Sequence, residues 1–322
     1  MHTRAFNKVS VDYKQGCLVK SSSNIIKLKN EINYYLNLPL ELTRFFPKLL
    51  NHAPDFTTYT IEYFPYKNLA ELIIAEKISK KEGENILKKL MDILSMLHSF
   101  KLPTHNYHNQ ISDFYIKKTL QRIEELKFNN DFYYILQNPT IKINNKLYKT
   151  FKQLHPSFIE TIKNKVFTNF NHKQTIIHGD FCFSNILYCP INKDIKLIDP
   201  RGSFEVDGIY GHPYYDYAKL LHCVHGKYDY IINNDFELNE IEPGNFSFKT
   251  NNPSSFNYFH KSYLDLLKTM KIDIEFLYLI EGSLFLSMAA LHYECAKRQK
   301  AFFLIGLIII NNFYAREYKN LY

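Results

Sequence analysis

Between Ala5 and Ser21 the apolar positions come in two short strand-like runs, Lys8-Val9-Ser10-Val11 and Cys17-Leu18-Val19-Lys20, flanking a turn at Lys14-Gln15-Gly16. That pattern predicts a β-hairpin. Leu28, Ile32, Tyr35 and Leu36 then fall at helical spacing, and the run stops at Leu38-Pro39 because a residue before proline is pushed out of the helical region. Phe46 to Leu50 and Thr57 to Phe64 are two further strand candidates, ended by Pro65. A small sheet carrying one helix is therefore expected first. Ser79-Lys80-Lys81-Glu82 has the form of a capping box and introduces Ile86, Leu90, Ile93 and Leu97, a helical stripe widened by Leu87 and Leu94.

Further along, the Lys-, Tyr- and Asn-rich stretch from Phe128 to Pro156 shows no clear period and is expected to contain a loop insertion. Thr175 to His178, Ile186 to Tyr188 and Ile195 to Ile198 predict three short strands, two of them followed at once by polar residues, where loop chemistry is usually placed. The segments 214–221 and 274–318 are expected to be mainly helical, with a hairpin between Tyr228 and Phe248. The order gives an α+β, bilobal architecture. A strand-rich N-terminal lobe over residues 1–66 is followed, through a connector near Tyr63 to Leu69, by a larger and mainly helical lobe over 67–322.

Composition changes this picture only in what it removes. At 322 residues and 46% hydrophobic content the chain can bury a large core, so disorder is a poor description. The net charge of +8 is spread over scattered Lys and Arg with no run of like charge, which speaks against nucleic acid and leaves a mild field suited to attracting a polyphosphate. Five cysteines without CxxC or Cys/His ligand spacing predict neither disulfides nor zinc, and point to the reducing cytoplasm. Met1 to Ser10 is too polar for a signal peptide, and the longest apolar run, Ala301 to Ile310, is too short to span a bilayer, so no membrane span is expected. The oligomeric state has no signature in the sequence.

The sharpest chemical signal is His178-Gly179-Asp180-Phe181-Cys182-Phe183-Ser184-Asn185, followed by Ile195-Lys196-Leu197-Ile198-Asp199-Pro200-Arg201-Gly202. Phosphoryl transfer needs a carboxylate to orient the attacking hydroxyl and oxygen ligands to hold Mg2+ against a triphosphate. Asp180, Asn185 and Asp199 supply those groups. One tight loop can bring Asp180 and Asn185 to the same mouth, and a strand hairpin can carry Asp199 back beside them.

The Asp-x-x-x-x-Asn spacing resembles the protein-kinase catalytic loop, and His178-Gly179-Asp180 with Ile198-Asp199-Pro200 resembles the aminoglycoside-phosphotransferase and choline-kinase branch. The resemblance covers roughly residues 5 to 300, and the block from 178 to 220 carries its specificity. It implies an ATP-dependent, Mg2+-requiring kinase, with GTP left open, acting on a hydroxyl of a sugar or amino-alcohol; surface-polysaccharide assembly is a setting suggested by analogy. Asp180 would be the catalytic base, Asn185 and Asp199 the metal ligands, and His178 a support of the loop. Lys20 and Glu31 would form the ion pair that positions the α- and β-phosphates. Glu62, Tyr63 and Phe64 resemble the hinge that meets the adenine edge, and Asp216 the aspartate that braces the catalytic loop. Arg201 is a weaker candidate for contact with the phosphates or a charged substrate. The segment departs from the family in having no glycine-rich phosphate loop, only Gly16 before Lys20; residues 1–7 as a shortened lid, or another segment over the phosphates, are the two ways to replace it. A catalytically impaired nucleotide-binding scaffold and an aminoglycoside-resistance phosphotransferase are the alternative functions the resemblance allows. No Ala-Pro-Glu follows Asp199, which argues against a protein kinase.

Overall fold

The computed structural model describes residues 7–103, 107–169, 173–204, 206–253 and 256–317. Contacts divide the chain into two compact units, Met1–Ile78 with Lys89–Leu102 and Gln174–Asp216, and Ser79–Lys88 with Pro103–Lys173 and Tyr217–Tyr322. In the first unit the N-terminal sheet is joined with the loop that carries Asp199, through Lys20.

In the first unit, β1 (Asn7–Asp12), β2 (Cys17–Ser22), β3 (Leu49–His52) and β4 (Thr58–Glu62) form an antiparallel sheet in the order β1-β2-β4-β3. The predicted hairpin is present, with Val9 opposite Lys20 and Asp12 opposite Cys17. Its turn closes because Asp12 Oδ1 accepts the N–H groups of Lys14 and Gln15, at 2.9 and 3.1 Å. Helix α1 (Ile25–Leu36) starts at Asn24, whose side chain caps the Lys27 N–H, and lays Leu28 and Ile32 against Tyr59 and Ile61 of β4. Burying four such side chains, at roughly 1.5–3 kcal/mol each before the entropy of ordering them, fixes the helix on the sheet. Glu31 lies one residue from Ile32 and is thereby buried too.

The turn between β1 and β2 sits at the hinge end of the sheet, where the Gly16 carbonyl accepts the Tyr63 N–H at 2.9 Å. It therefore lies away from Lys20 and is not a phosphate loop. The end of β1 nearest Lys20 is entered from residues 1–6, so a lid at the very N-terminus falls outside the described residues.

The second unit is mainly helical. Its core is built from the helices Ile274–Ala289 and Ala296–Ala315, which are buried throughout from Phe276 to Ala289 and from Ala301 to Ile310. The run Ala301 to Ile310 lies in the second of these, as a buried helix. The segment Ile274–His292 was not singled out by apolar run length, since Glu281 and two serines interrupt it, yet it is long and apolar enough to cross a membrane by composition. Of its window 78% is buried inside the protein, as in the core helix of a globular unit. Glu281 is tolerated there because His225 Nδ1 lies 2.8 Å from its Oε2.

Two readings need correction. The stretch expected to hold a loop insertion contains the helical turns Asn130–Phe132 and Tyr133–Gln137 and a hairpin of Thr140–Ile143 with Lys146–Lys149. Asn144 and Asn145, both with positive φ (50° and 65°), make the tight turn. The hairpin expected between Tyr228 and Phe248 begins later: Tyr228–Ile232 is helical, and the strands are Phe236–Glu242 and Asn245–Thr250. The two hairpins join into one four-stranded sheet through a short parallel pairing at Ile143 and Phe246. His212, His222 and His225 are all buried, and burial pushes His212 and His225 down to about 3. Among the described residues no group of three or more His, Cys, Asp or Glu could hold a metal ion.

Candidate active site

The strands Ile186–Tyr188 and Ile195–Leu197 pair antiparallel, Ile186 opposite Leu197, and the two loops at their open end carry the chemistry. In the first loop the backbone closes on itself: Cys182 N–H donates to the Asp180 carbonyl at 2.8 Å and Asn185 N–H to the Cys182 carbonyl at 3.0 Å. The Asn185 side-chain amide donates to both the carbonyl and Oδ2 of Asp180, each at 3.0 Å. The five-residue spacing thus does what it predicted, bringing both side chains to one place. No bond to Asn185 Oδ1 is found among the described residues.

The loop is braced from below. Asp216, fully buried, accepts the backbone N–H of His178 at 2.8 Å and of Gly179 at 2.7 Å. His178 Nδ1 accepts the Asp180 N–H at 3.2 Å, which places the ring proton on Nε2. Burial holds His178 below the usual histidine range, against the pull of Asp216, Asp180 and Asp199, so the ring is neutral and structural at pH 7. Gly179 has φ +77° and packs its Cα under the Phe204 ring, which a Cβ would strike. Replacing it with alanine is expected to cost at least about 2 kcal/mol, from left-handed strain and overpacking together. Urea denaturation of Gly179→Ala checks this, and an unchanged midpoint would show that the loop yields freely.

Asp199 is held in an unusual backbone state. Its φ is +56°, a region that non-glycine residues seldom occupy, and the hydrogen bonds Ile198 N–H to Asn185 carbonyl and Arg201 N–H to His178 carbonyl, at 3.0 and 2.9 Å, pin it from both sides. The strain aims the carboxylate at the N-terminal sheet. Lys20 Nζ lies 2.9 Å from Asp199 Oδ1 and 2.7 Å from Glu31 Oε2. Lys20 and Glu31 are 3% and 1% exposed and Asp199 is 41% exposed, so the ion pair is buried while its third member faces outward. Burial alone would lower Lys20, but Asp199 and Glu31 more than offset it and hold the ammonium above its ordinary value. Burial pushes Glu31 up, with Asp199 adding to the effect and Lys20 opposing it. Tyr59 OH donates to Glu31 Oε2 at 3.1 Å.

At the hinge, Glu62 already donates its N–H to the Lys48 carbonyl and Tyr63 donates its own to Gly16, at 3.0 and 2.9 Å. Glu62 therefore has its carbonyl to offer a ligand, while among the described residues neither the N–H nor the carbonyl of Phe64 has a partner. The Phe64 ring is fixed by Tyr66, centroids 5.4 Å apart, and by Lys196 Nζ 5.0 Å from its centre. Arg201 lies beside the loop with its guanidinium over the Phe204 and Tyr215 rings. The structure thus gathers Lys20, Glu31, Asp180, Asn185, His178, Asp199 and Asp216 into one connected network, with Arg201 at its edge and the hinge residues at the end of β4.

Two members of that network escaped the sequence reading. Tyr59 is one. The other is His98, whose Nε2 lies 3.3 Å from Asp216 Oδ2, both buried. His98 falls four residues after Leu94, on the flank of the apolar stripe of helix Lys80–Ser99, and a polar residue at that place was the available signal.

The donor set suits a hard cation. Among the described residues Asn185 Oδ1 and Asp199 Oδ2 are oxygen atoms with no bonded partner, and Mg2+ is commonly held by one or two carboxylates while phosphates and water complete its shell.

No protein-family model matches the sequence, and no curated protein does. Solved structures do match it. The aminoglycoside phosphotransferase APH(2'')-Ib with ADP bound superimposes with a TM-score of 0.53 at 15% identity, covering 99% of this chain and 93% of that one. A glucosamine kinase gives 0.57 at 9% identity over 94% and 79%. An ethanolamine kinase of Plasmodium vivax gives 0.51 at 15% identity over 97% and 78%. The chain therefore has the kinase-like fold shared by aminoglycoside phosphotransferases and amino-alcohol and amino-sugar kinases, as the motifs around Asp180 and Asp199 led one to expect.

Proposed function

We propose that this protein is an ATP-dependent kinase that transfers the γ-phosphoryl group to a hydroxyl of a small molecule. The observation that carries the reading is Lys20, buried between Glu31 and Asp199, with Asp199 held by backbone hydrogen bonds to the same loop that presents Asp180 and Asn185. Such a network has little purpose in a stability role, since buried charge is costly and is often replaceable by apolar packing without loss.

In this reading Lys20 holds the nucleotide phosphates, with Glu31 keeping the ammonium charged and in place. Asp180, oriented by the Asn185 amide, aligns the acceptor hydroxyl for in-line attack and takes its proton as the new P–O bond forms and the bond to the leaving nucleoside diphosphate breaks. Asn185 and Asp199 would hold Mg2+, which supplies neutralisation of the phosphate charge when bound. His178, Asp216 and His98 keep the loop in register. The Glu62 carbonyl and Phe64 N–H meet the donor and acceptor on an adenine edge; GTP presents a different pattern there and is the less suited nucleotide. ADP in the APH(2'')-Ib structure supports nucleotide use. All five cysteines are free, in keeping with a cytoplasmic setting. A role in surface-polysaccharide assembly rests on analogy alone.

The test is acceptor-stimulated ATP consumption across a panel of sugars and amino-alcohols. Turnover dependent on both acceptor and Asp180 supports the proposal. A second reading, a nucleotide-binding scaffold, is favoured by one feature, the lack of a glycine-rich phosphate loop among the described residues. It predicts nucleotide binding with no turnover on any acceptor.

A further inference from the structure

We infer that Lys196 is a positioning residue for the nucleobase: it clamps the Phe64 ring and so holds the Phe64 N–H and carbonyl where a base edge meets them. The inference rests on the phosphotransfer reading above, in which Glu62 and Phe64 face the base. The backbone shows why a clamp is needed. Glu62 and Tyr63 are tied to the N-terminal sheet by their own N–H groups, through the carbonyls of Lys48 and Gly16. Phe64 has no such tie among the described residues, and the next residue, Pro65, has no N–H to donate. The place of Phe64 is therefore set through its side chain.

Strand alternation puts Lys196 in reach of that ring. On Ile195–Leu197 its two neighbours are buried on one face, and Lys196 points to the other, directly opposite Leu187 of Ile186–Tyr188. Leu187 pairs in turn with Asn68, four residues after Phe64. A lysine on such a strand ordinarily carries its ammonium out to water. Lys196 does not: its side chain is 14% exposed, and Nζ donates to the carbonyl of Arg44, in the turn Leu40–Phe45, at 2.6 Å. From there it stands 5.0 Å from the centre of the Phe64 ring.

The contacts close a circuit. Lys196 Nζ lies 3.7 Å from Asp194 Oδ2, the same oxygen accepts the Tyr66 hydroxyl at 3.3 Å, and the Tyr66 and Phe64 ring centres are 5.4 Å apart. Phe64 is thus held on two sides, by an ammonium and by a ring that share one carboxylate. An ammonium over an aromatic face attracts it through the ring quadrupole, and more strongly where water is excluded. Three residues beyond Lys196 the chain reaches Asp199, so the base end and the phosphate end of the site are fixed to one hairpin.

The experiment compares binding of ADP and of inorganic pyrophosphate, each with Mg2+, to the full chain. The two share the diphosphate and ADP adds the nucleoside, so wild-type ADP is expected to bind at least about tenfold more tightly. Lys196→Met should weaken ADP about three- to tenfold and leave pyrophosphate within about twofold. Lys196→Arg, which keeps a cation able to stack on the ring, should hold ADP within about twofold of wild type. In a Phe64→Leu background the ring is gone, and Lys196→Met should then change ADP affinity by less than about twofold, because both substitutions remove one contact. A merely structural lysine would weaken both ligands alike, or act as fully without the ring as with it. Tyr66→Leu, which opens the circuit from the other side, should weaken ADP alone about threefold and covers the case in which Lys196→Met does not fold. Unchanged ADP affinity in these variants, an equal loss for pyrophosphate, or full additivity with Phe64→Leu would overturn the inference alone. Wild-type ADP that binds no better than pyrophosphate would overturn the reading of the hinge and this inference with it, and failure of both ligands to bind would overturn the phosphotransfer reading as well.

Discussion

Asp180→Asn is expected to lower acceptor-stimulated ATP turnover by at least about a hundredfold, the usual worth of a positioned general base, with nucleotide affinity little changed. The geometry explains why the effect should fall on kcat. Asp180 is bonded by Asn185 on its own loop, whereas the phosphates are assigned to Lys20, Glu31 and Asp199. Asparagine is close in size and keeps the loop closed, because the bonds to the Asp180 carbonyl come from Cys182 N–H and the Asn185 side chain. Steady-state kinetics beside an ADP titration separates the two effects. Turnover within a few-fold of wild type would remove Asp180 from its role.

Lys20→Met is expected to cost about 3–5 kcal/mol of stability at neutral pH, because it leaves a buried carboxylate without its partner. Among the described residues Glu31 would keep the Tyr59 hydroxyl and, at 3.5 Å, the more exposed Lys27. The loss should depend on pH in a definite direction. Burial already raises Glu31 in the folded state, and removing Lys20 takes away the main influence that lowers it. A folded-state value above the unfolded one means that the folded protein binds the extra proton. Stability therefore falls as pH rises above about 4.3, the ordinary glutamate value, and continues to fall until the folded carboxyl ionises as well. The gap between Lys20→Met and wild type should accordingly be smaller at pH 5 than at pH 8 in urea melts. A gap that is constant, or wider in acid, would contradict the buried-pair account. Lys20 itself contributes with the opposite charge: its raised value gives stability that is complete at neutral pH and is lost only in alkali, as pH passes the ordinary lysine value and then the folded one.

What the sequence disclosed and what it hid follow from the range of the interactions involved. The loop from His178 to Asn185 is a local device, built from hydrogen bonds across two to five residues, so its spacing could be read directly. The hairpin carrying Lys20 and the helix carrying Glu31 were legible for the same reason, through period-two and helical patterns. The pairing of Lys20 with Asp199, 179 residues away, was not foreseen, because nothing local specifies it and the resemblance implied only the pair of Lys20 with Glu31. His98 was missed altogether. Its partner Asp216 is 118 residues distant, and a lone histidine on the flank of an apolar stripe is ambiguous without the partner. The strands around Asn144-Asn145 were hidden differently: each is only four residues long and partly exposed, so apolar alternation is weak and the two asparagines were the sole strong signal. The hinge end of the β1–β2 turn was likewise not legible, since it is fixed by the Tyr63 bond to Gly16 across the sheet.

Equilibrium titration of ATP with and without Mg2+, on the wild type and on Asp199→Asn, tests the central claim most directly. The account predicts wild-type binding that Mg2+ strengthens markedly, and a variant in which that strengthening is lost. ATP binding in the wild type that ignores Mg2+, or a Mg2+ effect that persists intact in Asp199→Asn, would contradict it.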